Sequence, residues 1–182
     1  MAVTPFLNPV AVGKYTDSVL SGRVFTACNT GLVALSVNSA TATGLIIANP
    51  VTSGVNLVLL QLCVAIASPP AAQSNLILTG TLLTTANANT THTTPLTVKN
   101  CFIGTSAASA KGLVDSAATV PTPAAIRSIG GGPVAASSIT PPYIREDLDG
   151  IIILSPGCVI SLQAITTAIS VQASIVWRED PA

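Results

Sequence analysis

The stretch VNLVLLQLCVAIAS, from Val55 to Ser68, is apolar on both sides of any strand it forms. Successive side chains of a strand point to opposite faces, so a strand with one face in water alternates apolar and polar residues. Regular alternation assigns one face to Val58, Leu60, Leu62, Val64 and Ile66, and most of the other to Leu57, Leu59, Cys63 and Ala65. Both faces therefore need a cover other than water.

A membrane is not the predicted cover. A spanning helix needs about 20 predominantly apolar residues, but Asn56 and Gln61 interrupt this run and Pro69 ends it. Near the N-terminus, Pro5 and Pro9 stand where a secretion signal would have a basic segment and then an apolar stretch. We therefore expect a soluble chain, made in the cytoplasm without a targeting segment, and no membrane partner.

Protein is the predicted cover, because charge is scarce. Charged residues make up 8% of the 182 residues, whereas about 25% is usual in globular proteins. Seven basic and seven acidic side chains are too few to surround a free monomer, and large homo-oligomer interfaces are apolar and poor in charge. The net charge of zero and the scattered Lys and Arg residues argue against nucleic-acid binding, which needs clustered cations.

The rest of the chain predicts an all-β fold in one domain. Short runs of Val, Ile, Leu and Thr alternate with Gly, Pro, Asn and Ser clusters, as in sandwiches and barrels. The candidate strands are residues 23–28, 32–37, 43–48, 55–67, 76–83, 96–103, 151–154, 159–166 and 169–177. The last alternates most regularly, and its predicted apolar face consists of Ile169, Val171, Ala173, Ile175 and Trp177. We expect Trp177 in the core.

Two segments flank or interrupt this pattern. Residues 1–22 are predicted to form an extended arm, with a single domain over residues 23–182. We expect the arm to lie along another subunit, and the alternative is that it folds back over its own sandwich. Residues 104–142, rich in Ala, Ser, Gly and Pro, are predicted to form one long loop. The second face of residues 55–68 is then covered by that loop or by a neighbouring subunit. The candidate interface residues are Phe6, Leu7, Val10, Val12, Leu57 and Leu59.

The sequence gives little support for a catalytic or metal-binding site. The four cysteines are far apart in sequence and predict buried, reduced thiols, with one or more disulfides as the alternative. His92 is interpreted as a histidine hydrogen-bonded to backbone. Asp147 and Asp149 precede a glycine, as in part of a calcium loop, but Cys158 occupies the closing acidic position; a solvated lead-in to a strand is favoured over a cation site. We predict no enzyme activity, no cofactor and no metal.

Several stretches resemble the small Ala-, Thr-, Ser- and Gly-rich virion proteins of tailed bacteriophages. They are NLVLLQ at 56–61, THTTPLT at 91–97, ILSPG at 153–157 and SIVWREDP at 174–181. The resemblance extends over most of the chain from about Arg23. It lies in the composition and order of these stretches more than in any diagnostic motif. It implies a jelly-roll-like antiparallel β-sandwich that forms a homotrimer on the capsid surface, made in the host cytoplasm.

Two functions are consistent with this resemblance. The first is a capsid decoration or cement protein, which binds the major capsid protein and stabilises contacts between coat subunits, its arms adding attachment through multivalency. The second is a receptor-recognising tail or fibre tip domain. Recognition surfaces usually rely on aromatic and charged anchors, and aromatic residues are only 3% of this chain. We therefore favour the first.

Overall fold

The computed structural model describes residues 13–68, 74–81, 91–131 and 143–182. The fold is all-β, and 57% of the described residues are in strands and 3% in helix. A single turn of helix, α1, spans Thr16–Leu20. The strands are β1 Val24–Cys28, β2 Val33–Ala34, β3 Thr41–Ala48, β4 Val55–Ser68, β5 Asn75–Gly80, β6 Thr91–Pro95, β7 Lys99–Asn100, β8 Leu113–Thr119, β9 Ala124–Gly131, β10 Tyr143–Asp147, β11 Ile153–Leu154, β12 Val159–Ala164 and β13 Ser170–Pro181.

The strands form two antiparallel sheets that pack as a sandwich. Sheet A has the order β10-β4-β13-β1-β7, with β11 beside β4 and β2 beside β13, and sheet B has the order β6-β8-β3-β12-β5-β9. Eight of these strands, in the orders β10-β4-β13-β1 and β3-β12-β5-β9, have the jelly-roll arrangement. The predicted jelly-roll-like sandwich is confirmed.

The last strand, β13, is the centre of sheet A. It pairs with β1 on one side and with β4 on the other. Its core face is the predicted one, with Ile169, Val171, Ala173, Ile175 and Trp177 all buried. The Trp177 ring lies 6.0 Å from the ring of Phe25, centroid to centroid, at an angle of 34°. The predicted burial of Trp177 is confirmed.

A β-bulge at Leu60 accounts for the double-faced strand β4. Trp177 pairs with Leu59 and Val176 pairs with Gln61, which leaves Leu60 as an extra residue. The extra residue shifts the alternation, so Leu57 and Leu59 share the core face with Leu62, while Leu60 packs on the outer face. Regular alternation through the strand is therefore wrong.

The two leucines predicted to lie at an interface belong to this core. Leu57 and Leu59 are both 0% exposed and pack between the sheets, so the prediction that they form a subunit interface is wrong. The four predicted arm residues, Phe6, Leu7, Val10 and Val12, lie outside the described residues.

The cover over the outer face of β4 comes from the start of the described chain. Tyr15 and Val19 pack with Cys101 on the buried outer side chains Val58 and Leu60. The predicted extended arm is therefore wrong over residues 13–22, where the chain forms a turn and α1 against sheet A. None of the described residues of the predicted 104–142 loop belongs to this cluster.

Residues 104–142 contain two strands that the sequence analysis missed. β8 pairs with β3 and with β6, and β9 pairs with β5. Their Ala-, Ser- and Gly-rich sequences have low strand propensity, but pairing and burial override propensity. The prediction of one long loop is wrong for these strands. The sequence analysis also missed β10, which contains Asp147, where a solvated lead-in to a strand was predicted.

One strand of sheet B, β12, is buried on both faces. Every residue of β12 is buried. Ile160 and Leu162 face the main core, and Val159 packs on the outer face in a second cluster with Ile46 and Val120. The outer face also holds a polar network, in which the Gln163 amide bonds to the Ser161 hydroxyl at 2.9 Å and to the carbonyl of Ser39 at 3.0 Å.

Candidate functional site

A groove of about 410 Å³ lies on the outer face of sheet A, between α1 and β10. Its floor is apolar and consists of Val19, Val24, Leu60 and Val176, with Cys101 beside them. The volume is within the range of small-ligand sites, about 300–1,000 Å³. We call it the α1 groove.

The floor follows from strand geometry. Side chains alternate along β1 and β13, so core-facing Phe25 and Trp177 leave Val24 and Val176 on the outside. The bulge adds Leu60 to the same face. Three neighbouring strands of sheet A thus place branched apolar side chains on the outer face. Val24 and Leu60 are buried there, and Val176 remains half-buried.

The rim of the groove is polar and internally paired. Lys14 Nζ lies 2.9 Å from Asp149 Oδ2, and the Tyr15 hydroxyl donates to Asp149 Oδ1. On β10, Arg145 Nε donates to Asp147 Oδ1 at 3.0 Å. Gln61 Nε2 donates to the same Asp147 oxygen at 2.7 Å. Both carboxylates of the rim therefore already have donors.

These contacts shift the acid–base behaviour of the rim. The hydrogen bond from Gln61, followed by that from Arg145, holds the pKa of Asp147 below its usual value. Tyr15, followed by Lys14, lowers the pKa of Asp149 in the same way. The bond to Asp149 raises the pKa of Lys14. All three groups are therefore charged at neutral pH.

A tight turn aims Asp149 at Tyr15. The amides of Leu148 and Asp149 both donate to the carbonyl of Leu60, at 2.8 and 3.0 Å. Asp149 has a positive φ of 48°, and Gly150 follows with a φ of 83°, a conformation that glycine adopts without steric cost. The carbonyl of the bulged residue Leu60 thus holds the turn that places Asp149 on the rim of the groove.

The acidic pair that suggested part of a calcium loop serves this rim. Asp147 and Asp149 both line the groove and bind different partners. Across the described ranges, no group of three or more His, Cys, Asp or Glu side chains is placed to hold a metal ion. No helix within the same ranges has the length and apolar character to cross a membrane.

The other predicted polar residues lie elsewhere. His92, on the edge strand β6, binds through Nδ1 to Oδ2 of Asp115, so the predicted bond to backbone is wrong. Asp115 is 0% exposed, and its Oδ1 has no hydrogen-bond partner among the described residues. The cysteines are free thiols, as predicted, but they are not buried: Cys28 is exposed and the other three are half-buried.

Large apolar side chains are exposed around the sandwich. Ile103 is 85% exposed, Ile151 72% and Leu32 65%. The others are Leu20, Val37, Val51, Phe102, Leu113, Ile126, Tyr143, Ile153 and Ile165. Single exposed apolar residues are ordinary, but in a chain with 8% charged residues they leave much of the surface without strongly hydrated groups.

The sequence analysis did not find the α1 groove. A signal was present, because Lys14, Arg145, Asp147 and Asp149 form a notable share of seven basic and seven acidic residues and lie beside the few aromatic residues. Their proximity depends on packing across 134 residues of sequence between Tyr15 and Asp149, which no local pattern reveals.

Comparison with known proteins gives no match: no family model, no curated protein and no solved structure is similar to this chain.

Proposed function

We propose that this protein is a non-enzymatic structural protein of a bacteriophage particle. In this proposal it is a decoration or cement protein that binds the outside of the capsid as a homotrimer and stabilises contacts between major capsid protein subunits. The observation that supports it is the set of exposed apolar side chains, led by Ile103 and Ile151, on a jelly-roll sandwich poor in charge. The resemblance in sequence supplies the kind of particle.

The mechanism is burial without a chemical step. Each exposed Ile or Leu that becomes covered contributes about 1.5–3 kcal/mol, and few charges have to be desolvated at such a surface. In a trimer the second and third contacts with the capsid are intramolecular, so weak contacts combine into tight attachment. A rigid sandwich supports this role because it holds the contact residues in place.

The experiment compares charged substitutions at matched positions. Ile103→Lys and Thr105→Lys add the same charge two residues apart, both at exposed positions, and only the first removes an apolar contact. Ile151→Lys and Ser155→Lys form a second pair. Trimer formation is measured by light scattering, and binding is measured with phage heads stripped of the protein.

We expect at least one isoleucine variant to lose trimer formation or head binding while its control keeps both. A parent protein that stays monomeric at micromolar concentration and does not bind stripped heads would refute the proposal. Retention of both properties by both isoleucine variants would show that these side chains are not the contact surface.

The alternative function is receptor recognition by a tail or fibre tip domain. The α1 groove favours it, because Tyr15 and Arg145 place an aromatic ring and a cation beside an apolar floor. Binding of the purified protein to host cells, with none to stripped heads, would favour this alternative. Loss of cell binding in Arg145→Ala, with Lys99→Ala as a control at an exposed cation outside the groove, would assign it to the groove.

A further inference from the structure

The α1 groove offers apolar surface but little unpaired charge. The accessible apolar side chains of its floor are the half-buried Val19 and Val176, which lie beside the buried Val24 and Leu60. Each carboxylate of the rim already has two donors in the described structure. An occupant therefore needs no countercharge, and its affinity would come from apolar burial.

The chain itself carries a segment with this chemistry next to the groove. Lys14 and Tyr15 line the rim, and residues 1–12 directly precede that wall. The segment, MAVTPFLNPVAV, contains no charged side chain, and its larger apolar residues include Phe6, Leu7 and Val10. An extended stretch of twelve residues reaches about 40 Å, which is ample for a groove of this size.

We propose that the α1 groove binds residues 1–12 of the same chain in the free protein. Covalent attachment favours this occupant over any other, because a segment tethered to its binding site has an effective concentration of about millimolar. The proposal is independent of the particle to which the protein belongs. It implies that an arm that reaches another subunit first leaves the groove and exposes the apolar floor.

Cys101 provides the test because it lines the groove. The full chain carries Cys28→Ser, Cys63→Ala and Cys158→Ala, so that Cys101 is the one remaining thiol. The rate of maleimide labelling then reports whether the groove is covered. Phe6→Asp and Leu7→Asp each add a charge at an apolar position of the segment, and Asn8→Asp adds the same charge at a polar position.

We expect Phe6→Asp and Leu7→Asp to raise the labelling rate about tenfold, which corresponds to losing about 1.4 kcal/mol of groove occupancy. Asn8→Asp should label at the parent rate. A synthetic peptide of residues 1–12 should slow the labelling of Phe6→Asp. Near-ultraviolet circular dichroism of Trp177 verifies that each variant is folded.

Two results would overturn the proposal. Equal labelling rates in the parent and in both aspartate variants would show that the segment does not cover the groove. A parent rate that rises on dilution from micromolar to nanomolar concentration would show that the segment of a second copy is the occupant, because binding within one chain is independent of concentration.

Discussion

The indole Nε1 of Trp177 donates a hydrogen bond to Oε1 of Glu179 at 3.1 Å. The same carboxylate accepts the backbone amides of Lys111 and Gly112, at 2.9 to 3.0 Å. Glu179 is buried, at 6% exposure. A buried charge is costly unless it is hydrogen-bonded, and here three donors converge on it. The carboxylate thereby joins the turn before β8 to the last strand.

Replacing Glu179 with Gln should lower the free energy of unfolding by about 1.5–3 kcal/mol, the usual worth of a hydrogen bond to a charged group. The amide nitrogen of Gln cannot accept a hydrogen bond. At least one of the buried donors therefore loses its acceptor or forms a weaker hydrogen bond. Urea unfolding measures the change. Asp180→Asn is the control, because this carboxylate is in partly exposed ion pairs with Arg23 and Arg178 and should cost about 0–1 kcal/mol. Equal losses in the two variants would contradict the assigned role of Glu179.

Truncation of Trp177 to Ala should cost about 3–5 kcal/mol, since it removes the largest fully buried side chain of the core. Trp177→Phe should cost less, because it retains an aromatic ring against Phe25 and removes the donor to Glu179. Thermal unfolding of the two variants separates packing from hydrogen bonding. An unchanged melting temperature for Trp177→Ala would be incompatible with this packing.

Substitution of Gly112 with Ala should destabilise the protein by about 1–3 kcal/mol through overpacking. An added Cβ would lie 3.0 Å from Trp177 Nε1 and 3.1 Å from Leu57 Cδ1, both inside the core. Gly31→Ala is a matched control, because an added Cβ there meets no atom within 4 Å, and should change stability by less than about 0.5 kcal/mol. The free energy of unfolding is measured for both. A neutral Gly112→Ala would show that the turn can move away from Trp177.

Acidification should loosen the rim of the α1 groove. The pKa values of Asp147 and Asp149 are lowered in the folded protein, so the unfolded chain binds more protons at these sites. Their contribution to stability is present above the ordinary carboxyl pKa of about 3.9 and is lost as the pH falls through the lowered values. The Tyr15 ring resonances in NMR spectra should shift within that acidic window.

Asp149→Asn removes the titrating partner of Tyr15 and should abolish most of that shift, whereas Asp17→Asn, on α1, should retain it. A Tyr15 titration that is unchanged in Asp149→Asn would exclude Asp149 as its cause.

Local patterns were sufficient where burial and alternation agree. The core face of β13 from Ile169 to Trp177 was predicted residue by residue, because each apolar side chain occupies every second position. On β12, Ile160, Leu162 and Ala164 also occupy every second position of the core face, although the opposite face of that strand is buried as well. An apolar face with a period of two residues indicates that one side of the strand packs against the core. It does not show whether the opposite side is also covered.

Local patterns failed where pairing partners decide the outcome. The residues of β8 and β9 are mostly small, and they become strands because the edges of β3 and β5 are available to them. The α1 groove needs Tyr15 to meet Asp149 and Leu60 to leave the alternation of β4. Both depend on contacts between residues that are distant in sequence.

Composition and hydrophobic periodicity by themselves determined the all-β class and the buried face that ends at Trp177, because burying apolar area in extended strands requires that repeat. Only the tertiary structure decided where Leu57, Leu59 and Leu60 point. A single extra residue in β4 reverses which side of the sheet the following side chains occupy. Its position is set by hydrogen bonds to β13 and to the turn at Leu148, so the core and the groove separate only once those partners are in place.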